Sequence, residues 1–486
     1  MTRNHGAKPP RCRGMTLVEM LVATTITLIM MGLVAQLFGV FGQGVTGSRS
    51  VIELTDQMRS VGWRLRQDLA GTTAATLPPR RPEANEGYFE LLEGPASDTS
   101  TATIKATGDT TSLTGDCDDA LLFTTRSQGA PFVGRFVRGT AESPVAEVAW
   151  FCRSLPQQLS GGPTLFTLYR RQLLVTDYVG ASPTSGPFFT AAVGNVVDFQ
   201  KVGSRWDTFY NGDGTTFNGF DLSCRLVPSA GGVRLLVPNS LGDLTKRENR
   251  FGHYPTDLGV TPAFPYSLVS IAPLAGSRVG EDIILNNVLS FDVRVFDPDA
   301  PIQVVSPGGG VTPGDPGYAS NATTQGYGAY VDLCWGRGMT PPSAAAVVAP
   351  GSPFPAANST AFQSFGVKAI NNASTTTALP GTLATPQTSN ATVNAAVYDT
   401  WSTHYESNGI NENNNFDRIN TSTPLIDEGA NGLDDNANGL VDEPLEAETS
   451  APYPVPLRGI EVRIRCYEPS SRQVRQVTIR HTFVPY

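Results

Sequence analysis

The chain has 486 residues, of which 40% are hydrophobic and 16% charged, and a formal net charge of −9. That length exceeds one ordinary domain and allows a real core, while 49 glycines and 37 prolines require extensive loops. The acidic surplus disfavours nonspecific nucleic-acid binding, and no HExxH, GxSxG or P-loop pattern is found, so the sequence reads as noncatalytic.

Residues 1–14 carry Arg3, Lys8, Arg11 and Arg13 and no acid. Positive charge ahead of an apolar helix holds that end in the cytoplasm and sends the remainder outside. No charge appears from Met20 to Ser48, and Met20–Phe41 is broken only by Thr24, Thr25, Thr27, Gln36 and glycines. About twenty such residues span a bilayer as a helix. A secretory signal is cut after its apolar core, whereas the candidate cut here, after Gly14, lies before it.

Glu19 stands at the start of the apolar run, where a carboxylate is expensive unless it has a partner. Cutting after Gly14 makes Met15 the new N-terminus, with its ammonium about one helical turn from Glu19. A neighbouring copy's N-terminus can approach the same carboxylate and set an axial register. Glycine before the cut gives a protease close access to the backbone.

The run Gly14-Met15-Thr16-Leu17-Val18-Glu19 followed by an apolar helix resembles the class III signal of type IV pilins and type II secretion pseudopilins. The resemblance implies cleavage after Gly14 by a prepilin peptidase, methylation of Met15 and assembly through Glu19. It also implies other pilins or pseudopilins and an inner-membrane assembly platform as partners. The chain would be single-pass in the bacterial inner membrane, with its N-terminus cytoplasmic and its head periplasmic or carried in a filament. Methionine stands where the family more often has phenylalanine, and the family's frequent proline deeper in the helix is absent.

Past the membrane run, Gly39, Gly42, Gly44 and Gly47 each cost about 1 kcal/mol of helical preference, which predicts a flexible or partly melted neck. Val51, Leu54, Met58, Val61, Leu65 and Leu69 then recur every three or four residues, the spacing of an amphipathic helix. Arg59, Arg64, Arg66 and Asp68 fall on its expected solvated face. The predicted organisation is a leader at 1–14, a transmembrane and assembly helix with neck at 15–48, and an amphipathic half at 49–72. A β-rich head follows at 73–300, then insertions at 301–450 and a C-terminal hairpin at 451–486.

Within the head, Ala120–Thr125, Phe132–Arg138, Val145–Arg153 and Leu165–Val175 read as strands, the last two as an antiparallel pair. Val288–Phe296 alternates and is expected to stop at Asp297-Pro298. Ile460, Val462, Ile464 and Cys466 alternate with charged residues, Glu468-Pro469-Ser470-Ser471 turns, and Val474–Val484 returns. A strand series packed on one N-terminal helix is an α+β arrangement with an antiparallel sheet and long loop insertions. Its strand order and size resemble J-type minor pseudopilins and PilW-like minor pilins. Pro301–Gly317, Pro341–Pro355 and Ala356–Thr400 read as surface insertions. Removing the leader takes away Cys12 and leaves Cys117, Cys152, Cys224, Cys334 and Cys466, whose wide spacings fix neither a pairing nor zinc ligation; disulfides are open to them outside the cytoplasm, but most read as buried free thiols.

Residues 427–443 are rich in Asp, Asn and Gly, with Asn-Gly-Leu-x-Asp present twice and a partial copy at Asn408-Gly409-Ile410-Asn411-Glu412. Calcium takes about six to eight oxygens from carboxylates, amides and carbonyls. Asp434, Asn436 and Asn438 alternate, Gly439 permits a sharp turn, Leu440 is placed to offer a backbone carbonyl, and Asp442 follows, which agrees with the first half of an EF-hand loop. Asp427, Asn431 and Asp435 add oxygens. Position twelve would be Leu445, and Pro424 and Pro444 argue against flanking helices. The run therefore looks more like the helix-poor calcium repeats of thrombospondin type 3 and dockerin-like modules. Calcium is the favoured cofactor, a solvated acidic turn the alternative.

Of the histidines, His5 lies in the leader, and His253 reads as a loop residue rather than a base. Asp116, Asp118 and Asp119 have the chemistry to ligate a cation or act as acids, but a surface turn before the strand at Ala120 explains them more simply. The expected function is a minor pilin or pseudopilin near a filament tip. The alternatives are a filament-borne adhesin or substrate-binding head and, with no feature recommending it, a membrane-anchored hydrolase.

Overall fold

In the computed structural model, the described residues are 14–93, 104–105, 112–113, 116–117, 119–136, 139–154, 165–176, 221–228, 234–253, 273–274, 276–305, 309–315, 317–318, 323–333, 397–410, 426–435, 437–442, 446–447, 449 and 456–483. At 43–48 and at some strand residues only the backbone is described. The chain divides into two compact units, Met1–Asp56 with Glu468–Gln473, and Gln57–Tyr467 with Val474–Tyr486.

One helix, α1, runs without interruption from Leu17 to Ala70. It passes straight through Gly39, Gly42, Gly44 and Gly47, so the expected neck is helical. Extending a helix that already exists adds one hydrogen bond per residue fixed, and this outweighs four scattered glycine penalties. The spacing read from sequence sets the outer face: Leu54, Met58, Val61, Leu65 and Leu69 are buried.

Sixteen strands follow among the described residues. They are β1 (Phe89–Leu92), β2 (Ile104–Lys105), β3 (Ser112–Leu113), β4 (Ala120–Arg126), β5 (Phe132–Phe136), β6 (Gly139–Ser143), β7 (Val145–Ser154) and β8 (Phe166–Leu174). Then come β9 (Cys224–Pro228), β10 (Arg234–Pro238), β11 (Ile283–Val305), β12 (Gly309–Val311), β13 (Thr324–Val331), β14 (Val397–Asp399), β15 (Gly459–Glu468) and β16 (Gln473–Thr482). The main sheet has the order β14-β1-β4-β7-β8-β11-β15-β16, with β12 and β13 also on β11. Pairs β2–β3, β5–β6 and β9–β10 form separate two-stranded sheets. The architecture is therefore α+β, a long N-terminal helix and a large antiparallel sheet.

Period-two alternation gives the central strands two faces. On β7 and β8, Trp150 lies opposite Arg170, and both reach Asp68 of α1. Trp150 Nε1 donates to Asp68 Oδ2 at 3.0 Å, and Arg170 grips the carboxylate with Nε at 2.6 Å and Nη2 at 2.9 Å. Asp68 is thus buried, against the expectation of a solvated position. It sits beside the Leu65–Leu69 stripe, and a cation from the sheet compensates its desolvation. The opposite face carries Glu147, which accepts from Tyr88 Oη and Ser223 Oγ at 2.6 Å each and from Phe251 N at 2.8 Å. That side is covered by the segment running from β9 to His253.

β11 departs from expectation as well. Its 23 residues continue through Asp297-Pro298, and the register against β13 shifts between Asp297 and Pro301. A bulge is where a strand tolerates a residue lacking an N–H. At the other end of the sheet, Glu90 of β1 is paired with Asp399 of β14. Two carboxylates set opposite each other repel; Arg250 bridges them, with Nη1 at 3.0 Å from Glu90 and 2.8 Å from Asp399. Arg247 joins Glu90 at 2.9 Å, and His253 Nε2 lies 3.0 Å from Glu90 Oε2. His253 is accordingly a buried member of an ion network that docks the 241–253 segment.

Candidate functional site

The N-terminal segment is built from its sequence upward. Thr16 precedes the first helical residue, and its Oγ1 accepts from Glu19 N at 3.2 Å. Glu19 reaches back, its Oε2 accepting from Thr16 N at 3.0 Å and from Thr16 Oγ1 at 3.1 Å. This reciprocal pair is a capping box, which satisfies helix N–H groups that otherwise lack partners. Thr16 is the residue the sequence reading missed, although Thr-x-x-Glu before an apolar run is its signature. A carboxylate has about four acceptor positions, so the cap does not exhaust Glu19, which stays exposed.

Gly14 lies outside the helix. A Cβ built on it meets nothing within 4 Å, and its φ is not among the positive ones. The fold therefore makes no demand for glycine there, and the reason for it lies with whatever handles the chain at that bond. Met15 is exposed beside it.

From Leu17 to Gly42, 26 residues are long and apolar enough to cross a membrane, and none is buried within the chain. At 1.5 Å per residue this is about 39 Å, against a hydrocarbon core of about 30 Å. The threonines inside it bond to their own helix: Thr24 and Thr25 Oγ1 donate to the Leu21 carbonyl at 3.0 and 2.7 Å, and Thr27 to that of Ala23 at 2.7 Å. Polar side chains satisfied this way are compatible with lipid.

Residues 9–35 match the family described as the prokaryotic N-terminal methylation motif. The chain carries a prepilin-type methylation motif. It covers the glycine, the capping box and much of the apolar helix, and it supports a type IV pilin-like or pseudopilin protein. The prepilin-type motif implies processing by prepilin peptidase and assembly with other pilins, and with the apolar helix it fits single-pass membrane anchoring. No curated protein and no solved structure matches the chain.

The Asn-Gly repeats share one local chemistry. Asn408, Asn431 and Asn438 Oδ1 accept from the N–H two residues on, at 2.7, 2.7 and 2.8 Å. The glycine after each has positive φ, 76°, 78° and 93° for Gly409, Gly432 and Gly439. Each glycine N–H donates to an aspartate: Gly409 to Asp427 at 3.0 Å, Gly432 to Asp442 at 2.9 Å and Gly439 to Asp434 at 2.7 Å. Asp434 also accepts from Asn438 N at 3.0 Å, and Asn431 Nδ2 donates to Asp435 at 2.6 Å. Leu440 is exposed, and Asn436 lies outside the described residues.

A different acidic group is drawn closer together. Glu93, Asp116 and Asp119 have oxygens within 4.8 Å of one another, and all three are buried. Leu333 N donates to Glu93 at 3.3 Å and Val293 N to Asp119 at 2.7 Å. The surface-turn expectation for Asp116 and Asp119 is overturned, because the segment entering β4 is held to β11 by Phe291 N donating to the Asp116 carbonyl at 2.6 Å. Asp118 lies outside the described residues.

Proposed function

We propose that the chain is a noncatalytic minor pilin or pseudopilin, cut after Gly14, methylated at Met15 and assembled through its helix into a type II secretion pseudopilus or a type IV pilus, near the tip. The observation that carries this reading is a methylation motif whose glycine the fold itself does not require, set directly before a capped, exposed apolar helix. The large head with long insertions suits a single terminal position better than repetition along a fibre, where every copy would have to accommodate them. Labelling of the head uniformly along purified filaments would count against the tip.

The test is the intact mass and N-terminal peptide of the chain made with and without prepilin peptidase. A peptidase-dependent start at N-methylated Met15, lost in Gly14→Ala, is expected. Because Gly14→Ala meets open space, a folding defect does not confuse the result. An uncut chain, or a cut beyond the apolar run, sinks the reading.

A second reading is a filament-borne binding head. It is favoured by the aliphatic residues exposed on the acidic loop, Ile426, Leu433, Leu440 and Val441. Replacing the exposed Ile426, Leu433, Leu440 and Val441 by serine separates the two readings, since lost binding with normal assembly supports the adhesin. Calcium held by Asp427, Asp434, Asp435 and Asp442 with the neighbouring asparagines belongs to either reading.

A further inference from the structure

Five cysteines follow Gly14, and four of them, Cys117, Cys152, Cys224 and Cys466, are described as buried free thiols. Cys466 Sγ is taken up as a donor to the Asn286 and Asn287 carbonyls, at 3.2 and 3.3 Å. Cys224 begins β9, opposite Pro238. Cys334 lies outside the described residues.

Cys117 and Cys152 stand in a different relation. The antiparallel register of β4 and β7 places Ala120 opposite Phe151. Continuing it by one residue sets Cys152 opposite Asp119, with Cys117 two residues further along. Residues two apart on a strand share a face, and diagonal neighbours across a pair are within side-chain reach. The two thiols are close enough to interact: after burial, the Cys152 thiol is the next largest influence holding the Cys117 thiol well above its ordinary value. Only 6% of Cys117 and 4% of Cys152 is exposed, so each thiol has the other as its neighbour in a closed environment. Arg153 adds a buried cation at this place, its Nη1 donating to the Cys152 carbonyl at 2.7 Å.

We propose that Cys117 and Cys152 close a disulfide that ties the segment entering β4 to β7 once the head has left the cytoplasm. The inference rests on the export reading above, since structural disulfides persist outside the reducing cytoplasm. The oxidant is the disulfide of a thiol-oxidising carrier protein. The Cys152 thiolate attacks one carrier sulfur, breaking the carrier's S–S bond and forming a mixed disulfide. The Cys117 thiolate then attacks Cys152 Sγ and releases the carrier's remaining thiolate. Two protons leave the cysteines, two electrons pass to the carrier, and the carrier ends as a dithiol. Burial in the finished head sets the order: exchange occurs before this end of the sheet closes, or during its local opening.

The test uses the full-length chain, purified in detergent from cells whose free thiols are alkylated at lysis, and mapped as peptides without reductant. The expected result is a joined pair of peptides carrying Cys117 and Cys152, separable by reductant with the gain of two hydrogens. Cys152→Ser should leave Cys117 fully alkylated. Alkylated Cys117 and Cys152 in a head that added protease reaches from outside the inner membrane overturns the disulfide and leaves the export reading intact. Either cysteine joined to Cys334 overturns it too. A head shielded from that protease fails the export reading instead. The purified chain in glutathione disulfide then decides the pairing by itself: joined peptides support it, and two persistent thiols overturn it.

Discussion

At Glu19 the observed cap and the proposed assembly contact fall on one carboxylate, and one substitution separates them. Glutamine serves in a capping box as well as glutamate does, but it carries no charge to offer a neighbour's N-terminal amine. Glu19→Gln is therefore expected to insert and be cut normally while failing to enter filaments, measured as the processed fraction against the fraction in sheared filaments. Equal incorporation would show that the charge is dispensable. Asp68 presents the opposite case, a charge whose role is internal. Asp68→Ala leaves the buried Arg170 guanidinium without its bidentate partner, and removing one member of a buried pair costs about 3–5 kcal/mol. A drop of that size in unfolding free energy by denaturant titration is expected; a loss under about 1 kcal/mol, the range of exposed pairs, would show the pair to be weaker than its geometry.

Among the elements, the helical turn Thr403–Ser407 gives a pH prediction. Burial first, then Lys246, hold the His404 imidazole down to about 4, against the opposing pull of Glu83 and Asp427. Above pH 6.5 the imidazole is neutral whether the chain is folded or not. As pH falls from 6.5 towards 4, the unfolded chain takes up a proton that the folded one refuses, so stability declines across that window. His404→Gln is expected to flatten the decline, read as melting temperature against pH. The wild-type difference isolates His404 from His481, lowered by burial in the same direction, and from Glu147, raised by burial and acting in the opposite one. The neighbouring Asn-Gly loop makes its own prediction. Calcium at a hundred times its dissociation constant should stabilise the head by about 2.7 kcal/mol, and chelator or Asp434→Asn should abolish the gain in a thermal melt. An unchanged melt would remove calcium from the reading.

These elements also show what sequence reading reaches. The stripe from Leu54 to Leu69 and the alternation from Ile460 to Cys466 are local periodicities, legible because a buried face repeats with the element's own geometry. The methylation motif was legible for the same reason, being six contiguous residues and an apolar run. Asp68 was misread because its partner lies on β8, a hundred residues away, and a buried charge leaves no local mark. Asp116 and Asp119 were misread likewise, since contacts with β11 and not their own neighbours bury them. The break at Pro298 was placed by a local rule that a bulge circumvents.

At the scale of the whole molecule, the sheet order joins distant parts of the chain. Gly62 of α1 lies against Val477 and Ile479 of β16, where an added Cβ would come within 3.4 and 3.8 Å of their side chains. The helix is made early and the strand that covers it late. At roughly 5–20 residues per second of synthesis, the helix face at residue 62 waits on the order of tens of seconds for residue 477. During that interval the helix around Gly62 lacks its β16 cover, although β7 and β8, which reach Asp68, are already made. A fold whose last strand closes on its first helix is committed only when synthesis is nearly complete, so its final packing step belongs to the released chain rather than to the growing one.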